Sequence, residues 1–463
     1  MVKKELEKDG IQRLKKQARK YSIKEGIFAR TKFSLGNQFL SPFAIAINTS
    51  NPMVAMFSAF SGLLGPASQL KGSKLIGKYP RKNILLKAIS FETLMWIPFI
   101  IIAILFAKGL FLNLLPFFLL FFFGLYVIFN NFGHPAWFSW MGDIVNKNKR
   151  GKYFAKRNLL LGMTGVVITI VAGMFLDYFK YKNLIMLGFI ILFSLALIAE
   201  IFRMKSFKQQ YEPKIKVKRA DYFSFWDFLK EAPKTNFGKF SIFRLFFTLT
   251  GYISIPLISI YLLRELEFSY TLYTAIILSG AIFSLFFLEL WGKFTDKYGN
   301  YQTLMVTTLI LPVLPILWIL HPSPIYLILI PSAIGGITWA GFTLAESNFI
   351  YDNVKNKKRG LAVSYHNMLY GIGVFVGSII SAILIKYLAI SWTKPLIFIF
   401  FLSSITRMIA VFLWIPKLKE IRKTKKLKGM QSFEDLIIKE GKATLIDEYH
   451  QIKHFKDYLF IHK

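Results

Sequence analysis

The chain has 463 residues, 54% of them hydrophobic, with 48 Phe and no Cys, and its mean hydropathy is +0.46. So much apolar side chain excludes an ordinary soluble enzyme, and the missing Cys excludes a disulfide framework or a thiolate metal site. A formal charge of +34 raises nucleic acid as a partner, but the placement of that charge along the chain points elsewhere.

The chain opens on a basic segment, Lys3 to Lys32, without the short apolar core and small-residue cleavage site of a removable leader before Arg30. The first apolar run is therefore expected to stay as an uncleaved anchor. Counting that one, there are twelve such runs, near 27–48, 52–71, 84–107, 110–134, 158–178, 183–203, 240–263, 270–292, 302–320, 324–350, 361–386 and 394–415. Each is long enough to cross roughly 30 Å of hydrocarbon as a helix whose backbone bonds are satisfied internally. With alternating spans, one set of loops carries only Lys108, Lys180, Lys182, Arg264, Lys386 and Lys394 of the 59 basic residues. Positive charge gathers on the cytoplasmic side, so both termini are placed there, and anionic inner-leaflet lipid rather than nucleic acid is the expected charged partner.

Between the sixth and seventh runs, Met204 to Gly238 is polar: Lys214, Lys216, Lys218 and Arg219 precede the aromatic run Tyr222, Phe223, Phe225, Trp226 and Phe228. The basic part reads as a cytoplasmic linker and the aromatic part as a short helix lying along the interface. Beyond Pro416 a basic stretch leads into a periodic one through Phe433, Leu436, Ile437 and Leu445, a solvated helical appendage. The expected divisions are a basic segment 1–25, a six-helix half 26–203, a linker 204–238, a second half 239–416 and a tail 417–463.

An internal duplication supports the two halves. Asp143 to Asn158 reads D-I-V-N-K-N-K-R-G-K-Y-F-A-K-R-N, and Asp352 to Asn367 reads D-N-V-K-N-K-K-R-G-L-A-V-S-Y-H-N. An acid, a basic run, Arg-Gly and a closing Asn recur at the same offsets, over a far longer period than in a solenoid. A second pair of loops agrees. Gly292-Lys-Phe-Thr-Asp296-Lys297-Tyr298-Gly299 follows the eighth run, and Ser73-Lys-Leu-Ile-Gly77-Lys78-Tyr79-Pro80-Arg81-Lys82 follows the second.

Six spans, a basic linker, six more spans and the loop G-x-x-x-D-[RK]-x-G at Gly292 to Gly299 resemble the major facilitator superfamily of secondary transporters, over about residues 25 to 416. The resemblance implies an all-α polytopic membrane protein, with twelve transmembrane helices in two pseudo-symmetric six-helix bundles, and solute bound between them. It places the chain in the cell's cytoplasmic (inner) membrane as a monomer. It also implies that the loop acids gate the cytoplasmic side: Asp296 is expected at the start of the fifth span, near Arg150, Gly151, Lys152 or Arg157. Gly292 is expected to permit close helix approach. Gly77 and Ser73 stand where the first-half loop would have its acid and glycine, so that gate is expected to be the weaker. Asp143 and Asp352 are expected to pair with Arg150 and Arg359 or with Lys78 and Lys297, beside Gly151 and Gly360.

In this family the first, fourth, seventh and tenth spans line the cavity, and each carries polar residues at helical spacing. The candidates are Ser34, Asn37 and Ser41; Tyr126, Asn130 and His134; Thr248 and Tyr252; and Trp339, Thr343 and Glu346. Glu346, an acid inside a span, is the expected carrier of a coupling proton. Glu92 and Glu289 are read as pairing with Lys87 or Lys293, and Arg244 and Arg407 as snorkelling to the cytoplasmic face. Pro42, Pro66, Pro98, Pro256, Pro312, Pro315 and Pro331 are expected to bend their helices.

Other readings are weaker. The fourth span lacks R-x-x-x-G, and Gly162, Gly165 and Gly173 lack the following Pro of drug–proton antiporters. A membrane transferase using His134 or His366, with Asn130 or Asn367 as partner, is opposed by the duplication, which repeats the position of His366 as Arg157. A transport-inactive sensor or lipid-handling protein on the same fold stays open. No phosphate-cradling loop and no His or carboxylate cluster calls for ATP, a cofactor or a metal.

Overall fold

The computed structural model describes residues 2–422 apart from 77, 146–149, 214–223, 355–358 and 392, together with 424. The side chains of 2–9, 150–152, 155, 359 and 360 are likewise outside the description, as is the appendage through Phe433 and Leu445. The described residues are almost wholly helical, with one isolated bridge between Ile76 and Tyr79.

Helix α1 runs Val2–Leu35, well beyond the span read from the sequence. It stops at Gly36, where any Cβ would strike the Trp96 ring, and resumes through a 3-10 turn Asn37–Phe39 into Leu40–Ala46. Among the described residues, eleven further helices are long and apolar enough to cross a membrane. They are α2 Asn51–Ser73, α3 Arg81–Ala107, α4 Leu115–Ile144, α5 Lys156–Tyr181, α6 Ile185–Lys208, α7 Asn236–Glu265, α8 Tyr270–Tyr298, α9 Asn300–Leu320, α10 Pro324–Asn353, α11 Leu361–Tyr387 and α12 Pro395–Lys417. These match the second to twelfth expected spans. The first falls outside this set because α1 is charged along its length, Arg30 and Lys32 included.

The prolines act unevenly. Pro66 sits inside α2 without interrupting it. Around Pro256, α7 loosens into a 3-10 turn Ile255–Leu257 and a π turn Tyr261–Glu265, and Pro331 lies in a π turn, Ile328–Ser332. Each Pro removes one donor from the ladder, and a local change of helix type absorbs the gap. The linker forms a short helix, Phe225–Glu231, with a capping box between Ser224 and Asp227. Trp226 on it is 71% exposed, as a helix lying on an interface requires.

The chain forms two compact units: residues 1–222 with 244–275 and 364–403, and residues 223–243 with 276–363 and 404–463. The first unit is built around close helix approaches at glycine. A Cβ on Gly72 would strike the Phe132 carbonyl of α4, and one on Gly62 would strike Val374 of α11. An aromatic core of Phe43, Trp96, Phe99, Tyr126 and Phe193 fills its centre with rings in tilted and edge contacts.

In this unit, the segment after α6 folds back to close the start of α3. Glu212 accepts from the Arg81 backbone N–H at 2.7 Å and from that of Lys82 at 3.2 Å, supplying acceptors to donors that a helix start leaves open. The Arg81 side chain, fully buried, donates to Asp143 at 2.6 Å, to Ser139 at 3.1 Å and to the Pro213 carbonyl at 2.9 Å.

In the second unit, the segment after α12 treats α9 in the same way. Glu420 accepts from the Tyr301 backbone N–H at 2.8 Å, and Asn300 donates to Asp352 at 2.6 Å. Gly299 makes the turn with φ +93°, and a Cβ there would strike the Glu420 carboxylate. Arg422 adds an ion pair to Asp352 at 3.5 Å and donates to the Thr295 carbonyl at 2.8 Å.

Candidate functional site

Glu25 and Lys32 stand seven residues apart on α1, two helical turns, and so share a face. Glu200 and Arg203 share a face of α6 at one turn, and α3 brings Glu92 between them. Lys32 Nζ lies 2.5 Å from Glu92 Oε1 and 3.1 Å from Glu200 Oε1. One Arg203 nitrogen lies 2.9 Å from Glu200 and 3.3 Å from Glu92. Two acids and two cations thus close a ring. Lys32 is 3% exposed, Glu92 1% and Glu200 0%, so each charge depends on the others in place of water.

A second pair adjoins the ring. Arg157 at the start of α5 donates to Glu25 at 2.9 Å, Trp137 Nε1 donates to the same oxygen at 3.1 Å, and the guanidinium lies 4.9 Å from the Trp137 ring centroid. Arg203 approaches the other Glu25 oxygen at 3.9 Å.

Three of the sequence candidates meet this ring. The Tyr126 hydroxyl accepts from Lys32 at 3.1 Å and donates to Asn37 at 2.6 Å, while Asn130 donates to Glu92 at 2.5 Å. The expected stripes of the first and fourth spans are therefore one hydrogen-bonded group wired to buried charge. Ser34 instead faces α5, donating to the Gly165 carbonyl at 3.1 Å, and Ser41 is half-buried without a hydrogen bond among the described residues. His134 is exposed, with no hydrogen bond among the described residues to hold it as a base.

Elsewhere in the first unit, Tyr252 and Tyr370 share a hydrogen bond at 3.3 Å, and Arg244 donates to Thr248 at 3.0 Å with its guanidinium 4.5 Å from the Tyr370 ring centroid. Arg244 is 7% exposed, so it does not snorkel to a membrane face as expected. Arg407, in the second unit, does not snorkel either: it is 3% exposed and lies 5.4 Å from the Trp339 ring centroid. An aromatic face offers each cation a partial substitute for water. On α10, Thr343 is exposed and spends its hydroxyl on the Trp339 carbonyl at 2.8 Å, and Glu346 is half-buried.

At the end of the first unit away from the N-terminus, two contacts bind distant parts of the chain. Arg264, carried by the π turn of α7, donates to Asn51, to the Thr49 carbonyl at 2.5 Å and to the Ile45 carbonyl at 3.4 Å. Asn48, at φ 58°, turns the chain that presents those carbonyls. Asp177 at the end of α5 accepts from the backbone N–H groups of Tyr270 at 2.7 Å and Thr271 at 2.8 Å, capping the start of α8.

Several of the loop residues find described partners. Asp143 takes Arg81, and Asp352 takes Asn300 and Arg422, partners that the sequence did not name. Lys78 is exposed, and Lys297 lies 5.4 Å from the Tyr298 ring centroid. The side chains of Arg150, Gly151, Arg359 and Gly360 are outside the described residues. Asp296 is exposed and makes no hydrogen bond or ion pair among the described residues, while Arg157 is engaged by Glu25. Gly292 has nothing within 4 Å of where a Cβ would stand, so no close approach exists there. Glu92 pairs with Lys32, not Lys87, whereas Glu289 does pair with Lys293 at 3.4 Å, four residues on.

Sequence reasoning assigned no role to Glu25, Lys32, Glu200 or Arg203. Their signal was available: acids inside apolar runs demand partners, and the cations nearest in depth stand on other helices. Among the described residues no group of His, Asp and Glu is placed to hold a metal ion.

The family model of the Major Facilitator Superfamily matches residues 240–456. No curated protein matches the chain. Among solved structures, the chain is similar to the nucleoside transporter NupG, with TM-score 0.61 and 14% identity over 88% of this chain and 100% of that one. A bacterial homologue of the iron transporter ferroportin, inward-facing, gives 0.63 and 15% over 86% and 98%. An auto-inhibited POT family peptide transporter gives 0.64 and 11% over 88% and 99%. At these identities the likeness is one of fold.

Proposed function

We propose that the chain is a membrane transporter of the major facilitator superfamily, whose family model matches residues 240–456, and that it moves a small solute by alternating access, driven by a proton or ion gradient. The observation that carries this reading is the group Asn37, Tyr126 and Asn130, polar side chains on two spans tied directly to buried charge at Lys32 and Glu92. Such a group can exchange hydrogen bonds with a solute and pass the change to ionised partners, which is the physical requirement for coupling. Tyr252, Trp339, Thr343 and Glu346 supply the remaining solute contacts, with Glu346 as proton carrier.

The gates of this reading are loop residues. Asp296, Lys297 and Gly292 act with the start of the fifth span around Arg150 and Gly151. Asp143, Lys78 and Arg81 act in the first half, and Asp352, Arg359 and Gly360 in the second. Arg264 and Asp177 hold the opposite mouth. The protein sits as a monomer in the cytoplasmic membrane with both termini inside, its basic loops against anionic lipid.

Vesicles containing the purified protein test the reading. An imposed proton or sodium gradient is expected to accelerate uptake or release of a solute, and Glu346→Gln to abolish the pH dependence. Flux of a confirmed solute that ignores every gradient would reduce the protein to a facilitator, and pH dependence surviving Glu346→Gln would remove that residue as carrier.

A further inference from the structure

With one exception, the charges inside the first unit are each held by a hydrogen-bonding partner, Arg244 and Arg264 through the Thr248 hydroxyl and the Thr49 carbonyl. Lys32 and Arg203 answer Glu92 and Glu200, Arg157 answers Glu25, and Asp177 is held by the start of α8. Arg30 is left over. No acid stands within ion-pair distance of it among the described residues, and its Nε is enclosed without a hydrogen bond. Its guanidinium lies 5.0 Å from the Phe33 ring centroid and the residue stays partly exposed. A cation at membrane depth without an acid is expensive, and that expense defaults to function.

The surroundings of Arg30 are shaped for it. It stands one turn before Ser34 on α1, on the face turned away from Lys32. Gly165 of α5 leaves the space that the guanidinium occupies; a Cβ there would strike it, and the Gly165 carbonyl is held by Ser34 at 3.1 Å. The duplication repeats the arrangement. One displacement along the chain carries Arg30 to Arg244, Ser34 to Thr248 and Pro42 to Pro256. In that copy Arg244 donates to Thr248 at 3.0 Å, and Gly373 of α11 packs on Thr248, with 3.1 Å between its would-be Cβ and the Thr248 Cβ.

We propose that the transported solute carries a negatively charged oxygen group, a carboxylate or a phosphate, and that Arg30 receives it. The planar guanidinium offers paired N–H donors that fit either oxyanion, and the missing internal acid leaves the charge for the solute to neutralise. This rests on the transport reading and names its substrate class.

The experiment is thermal unfolding of the purified full chain in detergent against matched probes: glucose and glucose 6-phosphate, glycerol and glycerol 3-phosphate, succinate and succinamide, and choline. The charged member of at least one pair is expected to raise the midpoint where its neutral partner does not, and which pair responds separates phosphate from carboxylate. Arg30→Gln is expected to weaken that binding at least tenfold, with Arg30→Lys in between. Where Arg30→Gln fails to fold, Gly165→Ala serves, since its methyl displaces the guanidinium and leaves the charge in place. Stabilisation by neutral or cationic probes alone, by no probe, or equally in wild type and variants overturns the proposal. A neutral solute that moves under a gradient sinks the anion assignment and leaves transport standing; anion binding at Arg30 without flux does the reverse.

Discussion

The Arg81 guanidinium donates to the Asp143 carboxylate across 2.6 Å, and the matching position in the second half, Asn300, donates to Asp352 across the same distance. One contact is an ion pair and the other a neutral hydrogen bond, each from a fully buried donor to an exposed carboxylate. Arg81→Ala empties a buried site and removes the bonds to Asp143, Ser139 and the Pro213 carbonyl, and is expected to cost about 2–3 kcal/mol. Asn300→Ala is expected to cost about 1 kcal/mol. Thermal midpoints in detergent, compared at equal protein concentration, check the order; equal losses would show that the two contacts are equivalent.

The ring of Lys32, Glu92, Glu200 and Arg203 predicts strong non-additivity. Removing Lys32 leaves two buried carboxylates to one guanidinium, so Lys32→Ala is expected to destabilise by about 3–5 kcal/mol. The double change Lys32→Met with Glu92→Gln removes one charge of each sign and is expected to cost less than the sum of the singles. A double-mutant cycle on the same midpoints reads the difference.

Two helical glycines separate packing from gating. A methyl at Gly336 would strike the backbone of Gly280, and Gly336→Ala is expected to cost about 1–3 kcal/mol through overpacking. Gly292 has open space, so Gly292→Ala is expected to leave stability unchanged or raise it by about 0.5–1 kcal/mol. If Gly292 closes a gate in another state, the same variant slows flux while its midpoint holds.

The absence of Cys from the chain makes every introduced thiol a clean reporter. Thr49 is fully buried and its hydroxyl has no hydrogen bond, so Thr49→Cys perturbs little. A membrane-impermeant maleimide is expected to label it slowly. Adding Asp177→Asn, which weakens the cap on Tyr270 and Thr271, is expected to raise the labelling rate several-fold; an unchanged rate would show that this contact does not govern the mouth.

The linker helix supplies a pH dependence. Hydrogen bonds from Ser224 hold the exposed Asp227 carboxyl below its ordinary value. A lowered value in the folded state means that the cap contributes fully above the ordinary carboxylate pKa and is lost as pH falls through the folded one. Amide protection across Phe225–Glu231 is expected to stay level from neutral pH to about 5 and to fall below about 4. In Asp227→Asn that fall disappears.

The span positions were legible because an apolar run of that length has few other uses. The polar stripes were half legible: spacing put Asn37 and Ser41 on one helix face and Tyr126 with Asn130 on another. Helical period cannot say which neighbour a face meets, so the bond from Tyr126 to Asn37 was invisible. Glu92 shows the same limit. Local spacing offered Lys87, yet the partner came from α1, sixty residues earlier, because burial pairs charges by depth across helices. The Gly292 to Gly299 loop was legible as a motif, but its state was not: Asp296 is exposed in the described conformation.

The capping of α3 by Glu212 and of α9 by Glu420 has a consequence for biosynthesis. In each half the third helix waits for an acid encoded after the sixth. Its exposed N–H groups stay with water or lipid headgroups until the last helix has been inserted, and only then does the chain's own trailing segment take them. Each half therefore carries a marker of its completion, one that a truncated or stalled chain cannot supply.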